Sequence, residues 1–257
     1  MKNTALITGA SSGIGAELAK IHAAKGGDLI LVARREEELQ VLKAELEKKH
    51  SITCLVWALD LTKSESIAII GENIAKENIE VDILINNAGF GGYGLFHERD
   101  WNQDNKMISL NIVTLSALTH LILPQMVSRK KGKILNIASS AGFMPGPLQA
   151  TYFATKAFVV SFSQAIDEEV REFGVTCTAL CPGPVNTGFE KAAELEGSPL
   201  LKNAATASSV AQKGYKAMEK GRLIKINDPT LSFAVNWLVP LFPRRWVLKI
   251  ARKAQEK

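Results

Sequence analysis

The stretch TGASSGIG, Thr8 to Gly15, follows the apolar run beginning at Thr4 and passes straight into a helical pattern. A strand, a glycine turn and a helix in that order make the opening half of a βαβ unit. Gly9, Gly13 and Gly15 let the backbone turn sharply and approach a pyrophosphate, with Ser11, Ser12 and Ile14 completing the loop. The positive end of the helix that follows suits such an anion.

The alternation begun there continues along the chain. Strands are expected near residues 4–8, 28–33, 53–59, 82–86, 133–139, 175–181 and 223–226. Helical patterns fall between them, near residues 14–25, 36–48, 64–77, 101–127, 152–173 and 208–220. The strands are apolar on successive residues, which predicts helices over both faces of a parallel sheet, a doubly wound α/β fold of three layers. No repeat or Gly/Ser-rich linker divides the 257 residues. The small, polar segment 186–209 follows the sixth strand, where an open sheet carries its ligand crevice, and is expected to act as a substrate flap.

The formal charge of +5 has one location: residues 230–257 hold six basic side chains against Glu256, while the other 229 residues carry 25 of each sign. The body therefore offers no net field toward nucleic acid, and none is expected as a partner. Cys54, Cys177 and Cys181 are odd in number and lack CxxC spacing, which fits a reduced cytoplasmic location. His22, His50, His97 and His120 are scattered, so no metal is expected. The apolar run Ala5 to Ile7 is too short for a signal-peptide core, and no uninterrupted apolar stretch reaches membrane-spanning length.

Tyr152 and Lys156 stand four apart at the start of a helical pattern, one turn from each other on one face. An ammonium beside a phenol favours the phenolate and is expected to lower the tyrosine's pKa toward working pH, making an acid/base group. Ser139 ends the fifth strand and places a hydroxyl at the carboxyl edge of the sheet. Ser140 competes with it and is otherwise read as a cap or turn hydroxyl.

Together TGASSGIG, Asp60-Leu61, Asn86-Asn87-Ala88-Gly89, Asn111, Ser139, Tyr152-x-x-x-Lys156 and Pro182-Gly183 resemble the short-chain dehydrogenase/reductase family over residues 4–187. The resemblance implies a Rossmann fold with a seven-stranded sheet ordered 3-2-1-4-5-6-7, a nicotinamide cofactor and a homodimer or homotetramer. It assigns a catalytic tetrad of Asn111, Ser139, Tyr152 and Lys156, with Asn111 helping to hold a relay water. It sets Asp60 and Leu61 beside the adenine, and Asn87, Ala88 and Gly89 along the cofactor. Pro182, Gly183, Val185 and Thr187 fall at the nicotinamide end, and Lys156 bonds the nicotinamide ribose.

After the second strand, Arg34 and Arg35 stand where an acidic residue would select NAD, which favours NADP(H) over NAD(H). The expected pocket is apolar or small: Gly91, Gly92, Tyr93, Gly94, Phe143, Met144, Pro145, Leu148 and Phe189. The expected activity is hydride transfer between NADP(H) and a hydrophobic carbonyl or alcohol. An NAD-dependent hydroxysteroid-like or 3-oxoacyl oxidoreductase, or a non-catalytic NADP-sensing protein, is the alternative. Residues 1–229 are expected to form one oxidoreductase domain. Residues 230–257 form a basic amphipathic extension packed on it, suited to peripheral contact with an anionic membrane.

Overall fold

Short apolar runs, five of them five or six residues long, build the sheet in the computed structural model, which describes residues 1–188 and 204–256. They are β1 (Thr4–Thr8), β2 (Leu29–Ala33), β3 (Cys54–Ala58), β4 (Val81–Asn86), β5 (Gly132–Ile137), β6 (Val175–Cys181) and β7 (Ile224–Ile226). All pair in parallel, in the expected order β3-β2-β1-β4-β5-β6-β7. Every residue of β1, β2 and β4 is buried, as continuous apolar strands require when both faces are covered. Two-residue strands, Val185–Asn186 and Ala205–Thr206, pair beside the sheet and flank residues 189–203. The expected flap at 186–209 therefore lies mostly outside the described residues.

Helices α1 (Gly13–Ala24), α2 (Glu36–Lys49) and α7 (Ala207–Glu219) cover one face, closing a core around Leu18, Leu39, Val210 and Met218. On the other face lie α3 (Glu65–Lys76), α4 (Trp101–Ile108), α5 (Leu115–Ser128) and α6 (Ala150–Val170), with Ile70, Leu118, Ile122 and Val170 inward. The single helix expected over 101–127 is interrupted: α4 and α5 join through a π-helical segment, Ser109–Thr114, which carries Asn111. A widened turn re-aims the side chains on it, a feature frequent at functional sites. This 28-residue run is apolar and long enough to cross a membrane by length and composition. Leu118, Ile122 and Met126 are nevertheless wholly buried against the sheet, as in the core helix of a globular domain.

His22 is a core residue, bonded through Nδ1 to the Tyr215 hydroxyl (2.8 Å) and through Nε2 to the Asn3 carbonyl (2.7 Å). All three cysteines are free and buried, and burial pushes each thiol up to about 12, which leaves them poor nucleophiles. After β7 come α8 (Pro229–Phe233), a π-helical segment (Ala234–Leu238), a 3-10 turn (Val239–Leu241) and α9 (Arg244–Gln255). Pro240 and Pro243 mark the breaks, since neither can donate a helical hydrogen bond.

Candidate active site

Strand order reverses between β1 and β4, and a cleft of about 1180 Å³ opens at the carboxyl ends of the strands there. Gly9 adopts φ +66°, the left-handed conformation that the sharp exit from β1 demands. Gly15 lies behind the loop, where an added Cβ would overlap the Gly9 carbonyl and the Asn87 side chain. Asn87 braces the turn, its Nδ2 donating to the carbonyls of Thr8 (2.9 Å) and Gly9 (3.1 Å). The amides of Asn87 and Ala88 both donate to Thr8 Oγ1. The result is a fixed cradle at the N-terminus of α1, whose first turn carries no acidic residue to repel an anion.

Every expected cofactor-binding residue lines this cleft except Gly15. The two arginines do different work. Arg35 reaches back to the glycine loop, its guanidinium donating to Ser11 Oγ (3.0 Å) and Ser12 Oγ (2.8 Å) while pairing with Glu38 (3.3 Å). Arg34 is exposed at the cleft wall, with no hydrogen bond or ion pair among the described residues. Its charge still acts on Asp60. Burial alone would raise that carboxyl, but two bonds from Thr62 and the charges of Arg34 and Lys63 hold it below the usual range. Five basic side chains and one carboxylate, Asp60, line the cleft, a balance suited to a polyanionic ligand. A glycine cradle that no Cβ could share, a helix N-terminus and an uncommitted guanidinium fit a phosphorylated dinucleotide.

Ser139, Tyr152 and Lys156 converge at the middle of the cleft. Ser139 caps the short 3-10 turn Ser140–Phe143, its Oγ accepting from the Ala141 amide (3.1 Å) and donating to the Pro182 carbonyl (3.4 Å). The cap role read for Ser140 therefore belongs to Ser139: β5 ends at Ile137, two residues short of the expected Ser139, and Ser140 is the first residue of the turn that the Ser139 hydroxyl caps. Tyr152 is almost wholly buried. Burial pushes its phenol up to about 12, and a hydrogen bond shared with Ser139 opposes that rise. Lys156 moves the other way, lowered to about 8 by burial, and donates to the Ile137 carbonyl at 2.8 Å. Its ammonium lies 5.9 Å from the centre of the Tyr152 ring. The expected lowering of the tyrosine's pKa by Lys156 does not appear: burial dominates the phenol and also disfavours the charge on Lys156 itself.

Asn111 does not line the cleft. From the π segment it accepts from the Phe90 amide (3.2 Å) and donates to the Phe90 carbonyl and Thr155 Oγ1, both at 3.0 Å. It thus ties the loop after β4 to α6, and Gly89 has no side chain because a Cβ would press on Asn111 Oδ1. Of the expected pocket residues, Gly91, Gly92 and Met144 line the cleft. Gly94 and Leu148 line a neighbouring cavity of about 200 Å³. Tyr93 and Pro145 line neither, Phe143 packs into the core beside β6, and Phe189 lies outside the described residues.

Sequence reading missed Gln149 and Gln255. The two buried amides meet across the cleft wall, Gln149 Nε2 donating to Gln255 Oε1 at 3.0 Å, and Gln149 Oε1 has no hydrogen-bond partner among the described residues. No motif links residues 106 positions apart, so only the fold could bring them together.

A family model described as short chain dehydrogenase matches residues 3–196. The chain is a short-chain dehydrogenase. As such it is an oxidoreductase acting on C=O or CH–OH groups. The dehydrogenase is 32% identical over 251 residues to a very-long-chain 3-oxoacyl-CoA reductase of Macaca fascicularis, covering 96% of this chain and 78% of that protein. It is 36% identical over 191 residues to the Homo sapiens protein of that name, covering 73% of this chain and 61% of the human one. Several of these relatives are thus matched over little more than half their length. Among solved structures, a short-chain dehydrogenase from Sphingobium yanoikuyae in complex with NADPH superposes with a TM-score of 0.85 at 30% identity, covering 99% and 98% of the two chains. A bulky-bulky ketone specific alcohol dehydrogenase from Comamonas testosteroni gives 0.78 at 29% identity, covering 94% and 95%.

Proposed function

We propose that this dehydrogenase uses NADP(H) to reduce a carbonyl carried on a long apolar chain, of the 3-oxoacyl class. The observation that carries the reading is one continuous cleft with two ends. A cationic, glycine-floored end meets an apolar end at Ser139 and Tyr152. The apolar end is walled by Met144 and Phe153 and by Leu238, Phe242 and Ile250 of the C-terminal segment. That apolar lining suits a hydrocarbon chain rather than a small polar sugar. The names of the relatives and the NADPH complex of the similar structure point the same way.

When bound, the reduced nicotinamide supplies the hydride. The chain's own groups manage the oxygen. Tyr152, protonated at neutral pH with its phenol near 12, donates a proton to the developing alkoxide. Ser139, held at the mouth of its cap turn, orients the carbonyl oxygen. One donor of Lys156 is spent on Ile137, leaving two for the ribose hydroxyls and for a positive field beside the oxygen.

The test is NADPH consumption across 3-oxoacyl thioesters of increasing chain length. We expect kcat/KM to rise with length at about 0.8 kcal/mol, or roughly fourfold, per buried methylene until the cleft is filled. Equal kcat/KM for short and long chains would overturn the apolar-chain reading, and equal rates with NADH would overturn the cofactor assignment.

The lysine also sets a pH dependence. As pH rises through about 8, Lys156 loses its charge in the free enzyme, so the reductive kcat/KM should stay level below that value and fall above it. In oxidation the phenol must give up its proton, so that rate should climb with pH over the same range. A reductive profile flat to pH about 10 would contradict a lysine lowered by burial.

A further inference from the structure

The C-terminal segment does more than wall the cleft. Phe233, Trp237, Leu241, Phe242, Trp246 and Ile250 lie within 18 residues of one another and are all exposed, Leu241 by 80%, Trp237 by 66% and Trp246 by 60%. Single exposed apolar residues are ordinary, but a cluster with two tryptophans is the mark of an interaction surface. On α9 the pattern is spatially sorted. Val247, Ala251 and Gln255, spaced by four, face the domain and are buried. Trp246 and Ile250, also spaced by four, border that side, and Arg245, Lys249, Arg252 and Lys253 form the opposite arc. Only Arg252 has an acidic partner among the described residues, Glu256 at 3.0 Å.

The charge chooses the occupant. A second copy meeting this face about a twofold axis would bring the same cations against themselves. An anionic bilayer offers both halves of the complement: headgroups for the cationic arc, and an acyl boundary for tryptophan, phenylalanine and leucine. We propose that residues 233–253 dock the protein on an anionic lipid surface. Leu238, Phe242 and Ile250 are exposed and also line the cleft, so its mouth opens at the docking face. An apolar substrate then passes from bilayer to cleft without crossing water. That last step rests on the substrate class proposed above, whereas the docking does not.

The test is flotation of the full chain with vesicles of phosphatidylcholine, with and without phosphatidylserine, at low and high salt. Binding is expected only with phosphatidylserine, and it should weaken as salt rises. Reversing three charges of that arc together, Arg245→Glu, Lys249→Glu and Lys253→Glu, should lower partitioning by at least about tenfold. Turnover of a water-soluble short-chain ketone with NADPH should not change, which keeps a docking defect distinct from a failed activity. Brominated lipid should quench the tryptophan fluorescence of the wild type, and less so in the Trp237→Phe, Trp246→Phe double variant. No flotation on phosphatidylserine vesicles at low salt would overturn the proposal, as would equal binding to neutral vesicles. A concentration-dependent dimer that Trp237→Ser and Trp246→Ser disperse would assign the face to a second copy instead.

Discussion

Tyr152→Phe is expected to reduce turnover by about a hundred- to ten-thousand-fold, the usual worth of a positioned general acid. NADPH affinity should stay within about threefold. The ring is buried and packs edge-on against Phe153 at 6.1 Å, contacts that a phenylalanine keeps. What disappears is the hydroxyl, and with it the hydrogen bond to Ser139 and the transferable proton. Single-turnover reduction with saturating NADPH isolates the chemical step, and fluorescence titration of NADPH checks binding. A variant retaining more than half the wild-type rate, with chemistry limiting, would remove Tyr152 from the proton transfer.

Arg34→Ala is expected to weaken NADPH by about ten- to a hundred-fold while leaving NADH within a few-fold. A charge-assisted contact to a 2′-phosphate is worth roughly 1.5–3 kcal/mol, and NADH offers no such group. Arg35→Ala should behave differently. Its guanidinium is already engaged by Ser11, Ser12 and Glu38, so its loss frees the glycine loop that both nucleotides use, and both affinities should fall together. Titrating the two cofactors against both variants separates a phosphate-binding arginine from a loop-bracing one. Equal losses for both nucleotides in Arg34→Ala would mean that this residue selects neither.

These two predictions differ in how much of each was legible in the chain. Tyr152 and Lys156 were readable because helical periodicity puts residues four apart on one face wherever the helix lies. The glycine loop was readable for a similar reason, since a strand, a φ-positive turn and a helix are all local. The parallel sheet covered on both faces followed from apolar runs joined by helix-length crossovers, and its strand order from the resemblance. Burial is not local. Whether the phenol near 12 or the ammonium near 8 prevails depends on how fully α6 is sunk against β5 and β6, and the spacing alone led to the opposite expectation for Tyr152.

The division of labour between Arg34 and Arg35 shows the same limit. Adjacent in sequence, they are equal as charges, and only the return of the glycine loop toward the end of β2 engages one and leaves the other open. Asn111 was placed in a long helix by its apolar pattern, but the π segment that turns its amide onto Phe90 and Thr155 left no signal in that pattern. Gln149 and Gln255 were invisible altogether. The sequence by itself determined the layers and the chemical identity of the groups at the switch point, because periodicity and turn geometry act over a few residues, while the strand order came only with the family resemblance. Tertiary structure decided which of those groups are desolvated, which are already paired and which segment walls the cleft. Those depend on contacts between residues tens to a hundred positions apart.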